Sequence, residues 1–130
     1  MAQILMIEPD ALLARAYRAA LVGAGHAVHA VATAQAAITA ADGLRPDLVI
    51  LELQLVAHSG VEFLYEFRSY ADWQDVPLII LSCVPPAEFA ANAAQLQNDL
   101  GISAYLYKPQ TTLQRLLNQV AAAIAAVPHV

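Results

Sequence analysis

Apolar residues fall into short runs separated by stretches of helical spacing, and the alternation recurs five times along 130 residues. Ile4 to Ile7 is the first run of strand length. Asp10 follows as a helix cap, and Leu12, Leu13, Ala16, Ala20 and Leu21 keep helical spacing until Gly23 and Gly25 stop it. Residues 27 to 31 make a weaker second strand. Thr33 caps a second helix that runs to about Ala41, where Asp42-Gly43 ends it. Beyond Pro46 come Leu48, Val49, Ile50 and Leu51, consecutive apolar residues of the kind found in a strand covered on both faces. A third helix is predicted from near Ser59 to about Tyr70.

Val76 to Leu81 reads as a fourth buried strand. Pro85-Pro86 opens a helix whose Phe89, Ala93, Leu96 and Leu100 hold helical period up to Gly101. Ile102 to Tyr107 is the fifth strand, and the last helix follows Pro109 with Leu113, Leu116, Leu117, Val120 and Ile124 on one apolar face. Five β-α units with no internal repeat or low-complexity linker predict one α/β domain over residues 1–130, a parallel sheet with helices on both faces. Ligands of such sheets sit beyond the carboxyl ends of the strands. Function is therefore sought just after Ile7, Leu51, Leu81 and Tyr107.

Composition narrows the classes. A hydrophobic share of 59% and a mean hydropathy of +0.53 look membrane-like, but much of this is alanine, which helices carry freely on exposed faces. The longest apolar stretch, Val120 to Val127, is far short of the roughly 20 residues of a spanning helix. No membrane segment is expected. No basic leader precedes the first strand, and the single Cys83 has no internal disulfide partner, so the expected compartment is the cytoplasm. A net charge of -5 with six scattered Lys and Arg leaves no basic stripe for nucleic acid. Lys108 is the only lysine.

The four strand ends hold Glu8 and Asp10, then Glu52, then Ser82 with Cys83, then Lys108-Pro109. In this the chain resembles the response-regulator receiver domains of two-component signalling. The matching strings are Ile4-Leu5-Met6-Ile7-Glu8-Pro9-Asp10, Pro46-Asp47-Leu48-Val49-Ile50-Leu51-Glu52, Ile79-Ile80-Leu81-Ser82 and Tyr105-Leu106-Tyr107-Lys108-Pro109, with Gly60 at the family's loop glycine. The resemblance implies a flavodoxin-like, doubly wound (βα)5 fold with strand order 2-1-3-4-5. It places Glu52 at the phosphoacceptor position, Glu8, Pro9, Asp10, Ser82 and Lys108 in the pocket, and Tyr105 as the switch aromatic. In the family an acidic pair and an acceptor aspartate hold Mg²⁺, while a hydroxyl and a lysine hold the phosphoryl group, as phosphoryl transfer to a carboxylate requires.

Two positions depart from that pattern. Pro9 stands where the second acid belongs, with no carboxylate and no N–H, and it biases Glu8 toward an extended backbone. Glu8, Asp10 and Glu52 are weak metal-ligand candidates, and Asp10 suits a helix cap at least as well. No cofactor is expected beyond weak Mg²⁺ binding. Glu52 is one methylene longer than aspartate. In-line transfer needs the nucleophile about 3–3.5 Å from phosphorus, and a displacement of about 1 Å costs about 10²-fold. The longer carboxylate instead reaches the site of the phosphoryl group, where Ser82 and Lys108 can hold it without a donor kinase. The resemblance then implies a non-enzymatic pseudo-receiver fixed in one signalling state, active-like or not, with a histidine kinase or an effector protein as partner.

Two other readings stay open: a phosphorylatable receiver using Glu52 or a displaced Asp10, and a small flavodoxin-like enzyme with Cys83 or Ser82 as nucleophile and His58 as base. The enzyme lacks a glycine-rich nucleophile turn. Cys83 is read as a small buried apolar residue, and His26, His29 and His129 show no metal-ligand spacing. The connection from Ser82 to Lys108 is longer than the family's. It adjoins the face formed by the fourth helix, fifth strand and fifth helix through which receivers dimerise or bind effectors, where Phe89, Tyr105 and Tyr107 are candidate aromatic anchors.

Overall fold

The computed structural model describes residues 2–56, 59–89 and 100–126. Five parallel strands, β1 (Gln3–Ile7), β2 (Ala27–Val31), β3 (Leu48–Leu51), β4 (Leu78–Ser82) and β5 (Ile102–Tyr107), form one sheet in the order β2-β1-β3-β4-β5. Helices α1 (Ala11–Gly23), α2 (Ala34–Gly43), α3 (Gly60–Ser69), α4 (Pro86–Phe89) and α5 (Leu113–Ala125) connect or follow them. This is the flavodoxin-like order. All residues of β3 and β4 are buried, as their unbroken apolar runs require of central strands covered on both sides.

The caps predicted at Asp10 and Thr33 are in place, and Ser59, read from sequence only as the start of a helix, caps a third. The Asp10 carboxylate accepts from the amides of Leu12 and Leu13, Thr33 from Ala36, and Ser59 from Glu62. The chain leaves α1 through Gly25 at φ 98°, a left-handed conformation that glycine adopts without a Cβ penalty. Some boundaries differ from the sequence pattern. β4 begins at Leu78, because the amide of Val76 turns back to the carbonyl of Trp73 and only the carbonyl of Pro77 joins the sheet, accepting from Val49. A 3-10 turn, Ala71–Trp73, follows α3, and a second, Lys108–Gln110, separates β5 from α5, whose cap is Thr112. Ala93 and Leu96 of the predicted fourth helix lie outside the described residues, as does the side chain of Phe89.

Two cores flank the sheet. On one face Phe63, Leu64 and Phe67 of α3 pack with Trp73, Ala37 and Ala41 against Leu5, Val49, Leu51 and Ile80. On the other, Leu21 of α1 and Leu116 and Val120 of α5 pack against Ile4, Met6, Ile50 and Leu106. Full burial of a side chain this large contributes about 1.5–3 kcal/mol, so the helices are held chiefly by these contacts. β5 carries an irregularity: Ile102 pairs with Leu78 while Ala104 pairs with Ile79, so Ser103 is an extra residue. The bulge inverts the alternation of side chains. Ile102 and Tyr105 share the first core, whereas Ala104 and Leu106 share the second.

Candidate functional site

Parallel register aligns the strand ends. Ile7 lies beside Leu51, Leu51 beside Ile80, and Ser82 beside Tyr107. The next residues therefore emerge together at the carboxyl edge. The amide of Glu8 donates to Val31 and that of Glu52 to Ile7, so the ladder extends one residue past each strand and fixes where both side chains start. Gly60 packs over this edge; a Cβ there would stand 2.6 Å from the Leu53 Cα and 2.9 Å from the Glu52 carbonyl oxygen.

The Glu52 side chain is turned inward and only 4% exposed. Its Oε1 accepts from Lys108 Nζ at 2.7 Å and from the Cys83 amide at 3.2 Å. Its Oε2 accepts from the Ser82 hydroxyl and from the Gln54 amide at 3.1 Å. Lys108 also pairs with Glu8 Oε1, so one ammonium lies between two carboxylates. Burial opposes ionisation of Glu52, yet the hydrogen bonds from Lys108, Ser82 and Gln54 outweigh it and hold the carboxyl below its ordinary value. Burial likewise acts to lower Lys108, but its bonds to Glu52 and Glu8 prevail and raise it. Both groups are charged at neutral pH.

The acids at the first strand end are engaged elsewhere. Glu8 Oε2 accepts from the Asp10 amide at 3.2 Å, and the Asp10 carboxylate caps α1 rather than entering the pocket. Pro9 contributes neither a carboxylate nor a donor. Among the described residues no three His, Cys, Asp or Glu side chains converge as a cation site. From Ser82 the bonding continues outward: its Oγ accepts from the Val84 amide at 3.0 Å, and the Val84 carbonyl accepts from the Tyr105 hydroxyl at 2.6 Å. Tyr105 is half-buried against the first core, and burial pushes its phenol up.

Cys83 corrects an expectation. It is exposed, because it follows the last residue of β4 and its amide, not its side chain, turns toward Glu52. His58 and His129 lie outside the described residues, and the Cys83-His58 pairing lies outside them with His58. Tyr107 is half-buried. Two residues escaped the sequence reading. Tyr17 of α1 is half-buried within electrostatic reach of Lys108, Glu8, Cys83 and Glu52, and burial raises its phenol. Arg68 of α3 is buried at the opposite end of the sheet. The signal for Arg68 was a lone basic residue between apolar positions of a core-facing helix.

A doubly wound parallel sheet with acids, a hydroxyl and a lysine gathered beyond its carboxyl edge defines a domain of the receiver class. Residues 4–121 match the model of the response regulator receiver domain, and the chain belongs to that family, which serves two-component signalling. It is 36% identical over 109 residues to the KDP operon transcriptional regulatory protein KdpE of Escherichia coli K12, covering 84% of this chain and 45% of that protein. The chain thus spans less than half the length of this curated relative. A sensor protein from Polaromonas sp. JS666 superposes with a TM-score of 0.87 at 21% identity, covering 97% of this chain and 98% of the other. The receiver domain of the sensor histidine kinase PA1611 from Pseudomonas aeruginosa PAO1 gives 0.78 at 25% identity, covering 96% and 98%.

Proposed function

We propose that this receiver domain acts as a protein-protein interaction module whose signalling state is set by its own Glu52 carboxylate, without aspartyl phosphorylation. The observation that carries the reading is the fourfold hydrogen bonding of that carboxylate by Lys108, Ser82 and the amides of Cys83 and Gln54. These are the donors a phosphoryl oxygen needs, and a buried anion already satisfies them. The bond from Ser82 to Val84 and on to Tyr105 extends the influence of that anion to the surface beside β5.

Receiver domains act with histidine kinases and effectors, and a partner of either kind fits this reading. So does pairing of two copies through the α4-β5-α5 face. The reading assigns the chain no catalytic residue, a cytoplasmic place of action and no direct contact with nucleic acid. None of the described helices is long and apolar enough to cross a membrane. Magnesium is coordinated in the cleft of the PA1611 receiver domain. The donor set here does not fit such an ion: Glu8 and Glu52 are shared with Lys108, Asp10 caps a helix, and Pro9 offers no oxygen from its side chain.

Incubation with acetyl phosphate or phosphoramidate and Mg²⁺, followed by intact mass measurement, tests the proposal. The expected mass is that of the untreated chain. A gain of one phosphoryl group sinks it.

A further inference from the structure

Arg68 lies in the last turn of α3, is 9% exposed and has no carboxylate among its hydrogen-bond acceptors. Its guanidinium donates to three backbone carbonyls: Nε to Leu100 at 2.6 Å, Nη1 to Trp73 at 2.6 Å and Nη2 to Gly101 at 3.1 Å. The planar fork suits this arrangement, since one rigid group reaches three acceptors on two separate segments. Gly101, at φ 62°, lies directly beneath it; a Cβ there would stand 3.5 Å from Nη2. The residue after Gly101 begins β5, and the extra residue of the bulge, Ser103, comes next.

Register gives this anchor its reach. Side chains in a strand alternate between faces, so a shift of one residue moves every later side chain to the other face. The bulge at Ser103 is what puts Tyr105 on the same face as Ile102 and leaves Leu106 on the other. Tyr105 then meets the Val84 carbonyl, and Lys108, at the end of the same strand, meets Glu52 and Glu8. We propose that Arg68 is a positioning residue for the pocket at the far end of the sheet: by holding the carbonyls of Leu100 and Gly101 against α3, it fixes where the chain enters β5 and keeps the bulge in phase. The inference rests on the geometry of Lys108 and Tyr105 and stands whether or not the chain accepts a phosphoryl group.

The test compares Arg68→Met and Arg68→Lys with an Arg45→Ala control, in which a contact to the same 3-10 turn, Arg45 Nε to the Asp72 carbonyl at 3.1 Å, is lost without touching β5. Amide resonances and hydrogen exchange are followed at Tyr105, Tyr107 and Lys108, with Leu5 and Ile50 as reporters of the sheet centre. Both Arg68 variants are expected to shift the three pocket-end amides and to speed their exchange by at least roughly tenfold, since the change removes up to three charged hydrogen bonds and one alone accounts for about that factor. Lysine is not expected to rescue, because it lacks the fork. Leu5 and Ile50 are expected to keep their rates, and Arg45→Ala to leave β5 unchanged. Equal acceleration at all five amides, or changes confined to Leu100, Gly101 and Ile102, overturns the proposal. Should Arg68→Met fail to fold, the same readings on Arg68→Lys, which keeps the charge but not the fork, decide between these outcomes.

Discussion

Both oxygens of the Glu52 carboxylate accept two hydrogen bonds, so the side chain has little freedom to act on anything else. Its carboxyl is held below its ordinary value, near 4.5, and a group depressed in this way contributes stability above the unfolded value that is lost as pH falls through the folded one. Urea midpoints are therefore expected to fall below about pH 4.5, and to fall less in Glu52→Gln, whose neutral amide has no such proton to gain. At neutral pH that variant is expected to be less stable by about 1.5–3 kcal/mol, the loss of a charged hydrogen-bond acceptor. Glu52→Asp alone is expected to leave Mg²⁺ affinity weak, and Glu52→Asp with Pro9→Asp to raise it, as read by titration. Equal, tight binding in both shows that Pro9 does not matter. The meeting of Glu52, Ser82 and Lys108 was legible because each lies at or just past the carboxyl end of a strand, and parallel register brings those ends together. The outward turn of Cys83 was not, because one residue past a strand the alternation of faces no longer dictates direction.

Elements were legible where local chemistry decides them. Asp10, Thr33 and Ser59 cap helices because their side chains satisfy amides that a helix start leaves unpaired. Asp10→Ala is expected to cost about 1 kcal/mol and to lower Tm by about 3–5 °C, without altering the response to Mg²⁺; a changed Mg²⁺ titration assigns Asp10 to the pocket instead. Gly60 is a tertiary requirement. Gly60→Ala forces a Cβ onto the backbone of Leu53 and Glu52, with an expected cost of about 1–3 kcal/mol in chemical denaturation. The start of β4 was misread from sequence because apolar Val76 continues the strand pattern, whereas its amide is committed to Trp73, in a turn, Ala71–Trp73, that no sequence signal had marked. Short apolar runs do not reveal such competition.

At the level of the molecule the sheet carries charge at both ends and none within. One end holds Glu8, Lys108 and Glu52; the other holds Arg68 among carbonyls. The order of strands followed from five alternating units and the family resemblance, but the link between those ends did not. It depends on contacts between residues 32 and 33 positions apart, Arg68 with Leu100 and Gly101, and on a bulge that a β-rich string such as Ile102 to Tyr107 does not announce.

Lys108 is the only lysine in the chain, and its side chain is 7% exposed between two carboxylates. Acylating reagents therefore have a single ε-amine to find, and one that is screened and protonated while both ion pairs hold. The rate at which a reagent such as acetic anhydride modifies it becomes a clock for how often the cleft comes apart. In Glu52→Gln that clock is expected to run faster, read by mass on the peptide containing residue 108; an unchanged rate means that Glu8 alone keeps the amine shut away.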